Sequence, residues 1–168
     1  MPLFHTTQEI GEIDLELFTP AMNAKTPSFF ALQEFFGISK EMQASLLKLG
    51  VECKDSVRYC LHNSPEDPVH LMLIYHPYKK EIPQQIFEHT DSYYLLEEGA
   101  FKLTNLDTNT EIVLSKEQCK IAKIAKGVRY QMEILSDTLL FIEVRGKNTA
   151  SAGGGDNPLI RPYPLKVA

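Results

Sequence analysis

The sequence predicts an all-β domain of antiparallel strands, a sandwich or barrel, led by two short helices and followed by an extended arm. From residue 57 onward, short runs rich in Val, Ile, Tyr and Phe are broken by Pro, Gly, Asn and Asp about every ten residues. Turn residues at 107–110 and the pair Glu98-Gly99 join neighbouring runs as hairpins, and nothing after residue 57 reads as a β-α-β unit. A chain of 168 residues buries one sizeable core rather than two.

Taken in order, residues 1–8 carry neither a basic stretch nor an apolar core of the kind that directs export, so the cytoplasm is the expected location. Thr26 suits a cap and Pro27 a first helical position. Phe29, Phe30, Leu32 and Phe36 follow near helical spacing up to Gly37, which predicts a first helix. A second starts at Ser39, places Met42, Leu46 and Leu49 on one face and stops at Gly50. The predicted strands are 57–62, 69–76, 81–87, 92–97, 101–106, 111–114, 119–124, 129–134 and 138–144. Residues 149–157 contain three consecutive glycines without the strand, helix or Lys-Ser/Thr ending of a phosphate-binding loop. Pro158, Pro162 and Pro164 make the C-terminal stretch an extended arm. The expected division is residues 1–56 as a helical N-terminal segment packed on the barrel, 57–146 as the barrel, and 147–168 as Gly-rich loop and Pro-rich arm.

Composition excludes several classes of function. The formal charge is −5, with 22 Asp and Glu against 17 Lys and Arg, and no basic run exceeds Lys79-Lys80, which argues against a nucleic-acid groove. Apolar runs such as 71–75 and 139–142 fall far short of the ~20 residues a membrane helix needs. Cys53, Cys60 and Cys119 are an odd set with no C-x-x-C pair, which reads as reduced, mostly packed thiols. His5, His62, His70, His76 and His89 form neither an H-x-H pair nor a helical i, i+4 pair.

The run from Arg58 through His62, Ser64, Asp67 and His70 to Met72, then Ile82-Pro83 and Leu95-Leu96-Glu97-Glu98-Gly99, resembles the WbuC-like cupin-fold family of the RmlC-like cupin superfamily. Members of that family occur among surface-polysaccharide biosynthesis proteins. The resemblance covers about residues 51–146 and implies a cupin double-stranded β-helix, a jelly-roll barrel, with N-terminal helices and a C-terminal arm. In such cupins an H-x-H pair, a Glu and a later His hold a divalent transition metal. Here the pair is replaced by Gln84 and Ile86, or by Gln85 and Phe87 in the other register. The Glu falls on Ser92 or Asp91, and Tyr130 stands where the last His would be. The resemblance therefore implies a barrel with no bound cofactor at the usual site. His89 and Asp91, with Glu88, are the candidates for a displaced one.

A barrel without metal keeps an interior that holds one small ligand. Gln84 or Gln85, Tyr130, and Tyr93 or Tyr94 would line it with amide and phenol groups suited to a hydroxyl-rich, sugar-like ligand. Arg58, His62 and Asp67 would bind an anionic group or organise a polar network at the mouth. The leading expectation is a metal-free binding module for a sugar or sugar nucleotide, working as a homodimer that covers its strand edges. The alternatives are a sugar isomerase or epimerase using Tyr130 with His62 or His70, and a metal-dependent enzyme using His89 and Asp91.

Overall fold

The computed structural model describes residues 13, 16–21, 24 and 26–147. In chain order the elements are β1 (Phe18–Pro20), β2 (Ser28–Ala31), α1 (Lys40–Cys53), β3 (Val57–Cys60), β4 (Val69–Pro77), β5 (Ser92–Glu98), β6 (Phe101–Asn105), β7 (Glu111–Leu114), β8 (Ile121–Ile124), β9 (Tyr130–Ile134) and β10 (Thr138–Gly146). The triple glycine and the Pro-rich arm lie outside the described residues.

The strands form two sheets: seven in the order β1-β2-β3-β4-β10-β5-β8, and three in the order β7-β6-β9. All pairings are antiparallel except β2 with β3. Among the described residues neither sheet closes on itself, so the expected jelly-roll barrel is replaced by two open sheets facing each other, the larger mixed through its β2–β3 pair and the smaller purely antiparallel. The predicted strand at 81–87 shows why. Pro83 has no N–H to give a ladder, and the segment makes one isolated bridge, Gln85 with Tyr130, through N–O contacts of 2.9 and 3.0 Å. The seam between β7 and β8 likewise rests on one bridge, Leu114 with Cys119.

The predicted first helix is also corrected. Residues 28–31 are β2, buried throughout, with Phe29 facing the helix-side core and Phe30 the core between the sheets. A short apolar run reads alike as a helical face or as a strand buried on both sides, and here pairing with β1 and β3 decides for the strand. With α1 between them, parallel β2 and β3 make a β-α-β unit ahead of the antiparallel strands.

The second predicted helix is α1. Ser39 caps it by accepting from the Met42 N–H at 3.2 Å. It runs past Gly50 to Cys53 and ends at Lys54, which adopts φ 52°. Gly50 is therefore not a stop signal but a point of close approach, since a Cβ there would lie 2.1 Å from the Tyr75 ring. Leu46 and Leu49 join Val57, Tyr59, Leu73, Tyr75 and Leu140 in the core under the helix. The core between the sheets holds Met72, Ile74, Leu139 and Phe141 against Phe101, Leu103, Leu114, Met132 and Ile134. Cys60 is buried there, whereas Cys53 is exposed and Cys119 half-buried.

Candidate functional site

Successive residues of a strand point to opposite faces. In β10 this sends Leu140, Ile142 and Val144 to one face and Leu139, Phe141, Glu143 and Arg145 to the other, toward the three-stranded sheet. The first two of that inner row are apolar and the last two charged, so one end of the interior is polar. Register extends the polarity sideways: Arg145 lies between His70 of β4 and Ser92 of β5, and Glu143 lies between Met72 and Tyr94.

All these polar groups are buried. His70 is 0% exposed, Ser92 1%, Tyr94 1%, Tyr130 0%, Arg145 4% and Glu143 9%. Arg145 Nε lies 3.2 Å from Glu143 Oε1, and its guanidinium sits 4.9 Å from the centre of the Phe87 ring. Opposite, Tyr130 donates to Gln85 Oε1 at 2.7 Å, which leaves Tyr94 to donate to the Tyr130 hydroxyl at 2.5 Å. Burial, followed by the nearby Glu143 charge, pushes both phenols well above their ordinary value, so both stay protonated. Tyr94, Phe101 and Phe141 pack their rings in tilted and edge-on contacts at 5.4–6.0 Å and fill the interior behind this chain.

Of the residues singled out in the sequence, Gln85, Tyr94 and Tyr130 thus meet in one hydrogen-bonded chain. His62 and His70 also meet, with parallel rings 4.3 Å apart, each donating to a carbonyl: His62 Nδ1 to Leu71 at 3.3 Å and His70 Nε2 to Pro65 at 3.1 Å. Arg58 lies elsewhere, donating from Nε to Ser28 Oγ at 2.6 Å and from Nη1 to Met72 Sδ at 3.6 Å. Asp67 closes its own loop by accepting from the Asn63 N–H at 2.8 Å. Gln84 is half-buried, and Tyr93 turns to the outer face, 40% exposed, with Lys123 Nζ 5.9 Å from its ring centre.

His89 and Asp91 stand at the rim of an open cleft of about 480 Å³, which Thr90, Tyr93, Lys126 and Arg145 also line. The Asp91 carboxylate is engaged on both oxygens, by the Lys126 N–H at 2.9 Å and by Lys123 Nζ at 2.9 Å, and these contacts hold its pKa below the usual carboxylate range despite a small desolvation. Glu143, Arg145, Thr90 and Lys126 were not legible as site residues. The available signal was the Glu143-Val144-Arg145 alternation closing an otherwise apolar strand.

The donor set does not fit a divalent metal. Tyr130 is a protonated phenol already bonded on its oxygen, Phe87 has no donor, and Asp91 is held by two lysines. The fixed charge of Arg145 beside them opposes a second cation. Among the described residues no three His, Cys, Asp or Glu side chains gather as a metal site.

No protein-family model and no curated protein matches the chain. Solved structures do resemble it, some of them described as cupins. An RmlC-like cupin family protein with a double-stranded β-helix fold from Methanocaldococcus jannaschii is 17% identical, with TM-score 0.48 over 70% of this chain and 93% of that one. KdgF from Halomonas sp. is 14% identical, with TM-score 0.46 over 58% and 83%. The Cnp3 cupin domain of Schizosaccharomyces pombe is 13% identical, with TM-score 0.46 over 54% of this chain, which spans 60% of that domain. No helix among the described residues is long and apolar enough to cross a membrane.

Proposed function

We propose that this chain is a cupin-like binding module, of WbuC-like type, that takes a small polar ligand of the sugar or sugar-nucleotide class without a bound transition metal. The observation that carries the reading is the Tyr94–Tyr130–Gln85 chain beside the Glu143–Arg145 pair. Neutral donors and an organic cation stand where the family resemblance puts a metal, and the open cleft next to them supplies hydroxyl, cationic and aromatic groups at its wall. A role beside surface-polysaccharide biosynthesis follows from the family resemblance, and a homodimer remains part of the same proposal.

Metal content tests it. Untagged protein purified without nickel resin or chelator should hold less than about a tenth of an equivalent of any transition metal, and its Tm should not move in EDTA. Near one equivalent, removed by EDTA with a fall in Tm, would overturn the reading in favour of a metal-dependent enzyme.

A further inference from the structure

We propose that residues 78–91, which join β4 to β5, form a strap that lifts off β9 to admit a ligand to the buried Tyr94–Tyr130–Gln85 chain, with Gln85 as the latch. The proposal rests on the binding reading above and deepens it by naming how that site is reached.

The need for an opening follows from burial. Tyr94, Tyr130, Glu143 and Arg145 are all shut away from solvent, so a ligand touches them only after a wall has moved. The walls are unequal. β10 is laddered to β4 from Thr138 to Gly146 and to β5 on its other side, and β9 is laddered to β6 from Tyr130 to Ile134. Residues 78–91 contain no helix or strand. Among the described residues, their main chain bonds to that of the smaller sheet at the Gln85–Tyr130 bridge alone, and to the turn ahead of β9 where the Gly127 N–H donates to the Phe87 carbonyl at 2.8 Å. Irregular connections of about 12–15 residues are uncommon in compact domains, and lids are drawn from them.

Both ends of the strap are pinned. At the first, Lys79 adopts φ 57° in a turn closed by the Lys80 N–H on the Pro77 carbonyl at 3.1 Å, and Lys80 Nζ holds Asp55 at 2.6 Å. At the second, Thr90 Oγ1 accepts from the Gly146 N–H at 2.7 Å and Asp91 accepts from the Lys126 N–H at 2.9 Å. Movement is thereby confined to the middle, which two buried apolar side chains, Ile82 and Phe87, hold against the interior. Gln131 Nε2 donates to the Ile82 carbonyl, and the Tyr130 hydroxyl donates to Gln85 Oε1 at 2.7 Å. Lifting the middle frees the Tyr130 proton, so Gln85 Oε1 occupies in the closed protein the place that a ligand oxygen takes in the open one. It also removes the Phe87 ring from its position 4.9 Å from the Arg145 guanidinium, which uncovers the one cation of the inner row.

The test combines amide hydrogen exchange of the full chain, read residue by residue by NMR, with phenylglyoxal modification of Arg145 located by peptide mass spectrometry. The Gln85, Gly127 and Tyr130 amides should exchange together, at least about a hundredfold faster than the β4–β10 ladder and with a much weaker dependence on urea. Ile82→Ala should speed these three amides and the modification of Arg145 by one common factor, about tenfold. Leu49→Ala, which loosens the core under α1 and not the strap, should leave both rates unchanged while it speeds the ladder. Exchange of the three amides only with the ladder, at the ladder's urea dependence, would overturn the strap, and this wild-type result decides even where a variant fails to fold. So would Arg145 modification that follows Leu49→Ala, or that ignores Ile82→Ala while the strap amides speed up. A bound metal equivalent would instead strike the binding reading and leave the exchange rates of the strap to be judged by themselves.

Discussion

The pair Glu143 and Arg145 sits two residues apart on one strand face, with side chains 12% and 3% exposed. Such a pair is a weak source of net stability, yet removing one member takes a compensating charge away from the other in a low-dielectric interior. Glu143→Ala should therefore cost about 3 kcal/mol in urea unfolding, and Glu143→Gln, which keeps a hydrogen-bonding oxygen, clearly less. A loss under about 1 kcal/mol for the alanine variant would mean that water screens the pair. The same carboxylate helps keep Tyr94 and Tyr130 protonated, so removing it lowers the phenol pKa values toward their ordinary range.

At the scale of elements, α1 is held to the seven-stranded sheet by a contact that only glycine permits. The Cβ of alanine at position 50 would overlap the Tyr75 ring, which is 2% exposed and has little room to retreat. Gly50→Ala gains helix propensity, about 1 kcal/mol, and loses more to the forced displacement of helix from sheet. The expected outcome is a net loss of about 1–3 kcal/mol by denaturant unfolding, with the helix retained by circular dichroism. A stabilised variant would show that α1 shifts freely on the sheet. Among the strands, β10 is central to the site. Its hydrogen bonds to both β4 and β5 set the register that brings His70, Arg145 and Ser92 into one row.

For the whole molecule, acid stability should follow His76. Burial, with the Lys80 charge next, pushes its pKa down from 6.5 to about 4, while Ser56 Oγ lies 2.6 Å from Nδ1 and the Phe141 ring 5.3 Å away. The unfolded chain takes up a proton below about pH 6.5 that the folded chain refuses until about pH 4, so stability falls as pH drops through that window. The loss is at most about 3 kcal/mol. Urea midpoints measured from pH 7.5 to 4 should show this slope in the wild type and a flatter one in His76→Gln. Equal slopes would place the acid sensitivity in the carboxylates instead.

Alternation of apolar and polar residues is a local property, and it made β3 to β10 legible: eight of the nine predicted strands are present within two residues of their expected bounds. The ninth, 81–87, has a strand's composition but lacks a partner along its length, and pairing is not written in any one segment. The same gap explains β2. Phe29 and Phe30 suit either a helix or a strand buried on both faces, and only the neighbouring β1 and β3 choose. For the site, the sequence by itself supplied the amide and phenol side chains of Gln85, Tyr94 and Tyr130, because that depends only on which residues are present. Only the tertiary structure decided that Gln85, Tyr94 and Tyr130 join in one chain, that Arg58 stands apart, and that Glu143 and Arg145 pair on the inner face. Those outcomes depend on strand register and on the facing of two sheets, where one residue of slip reverses every side chain.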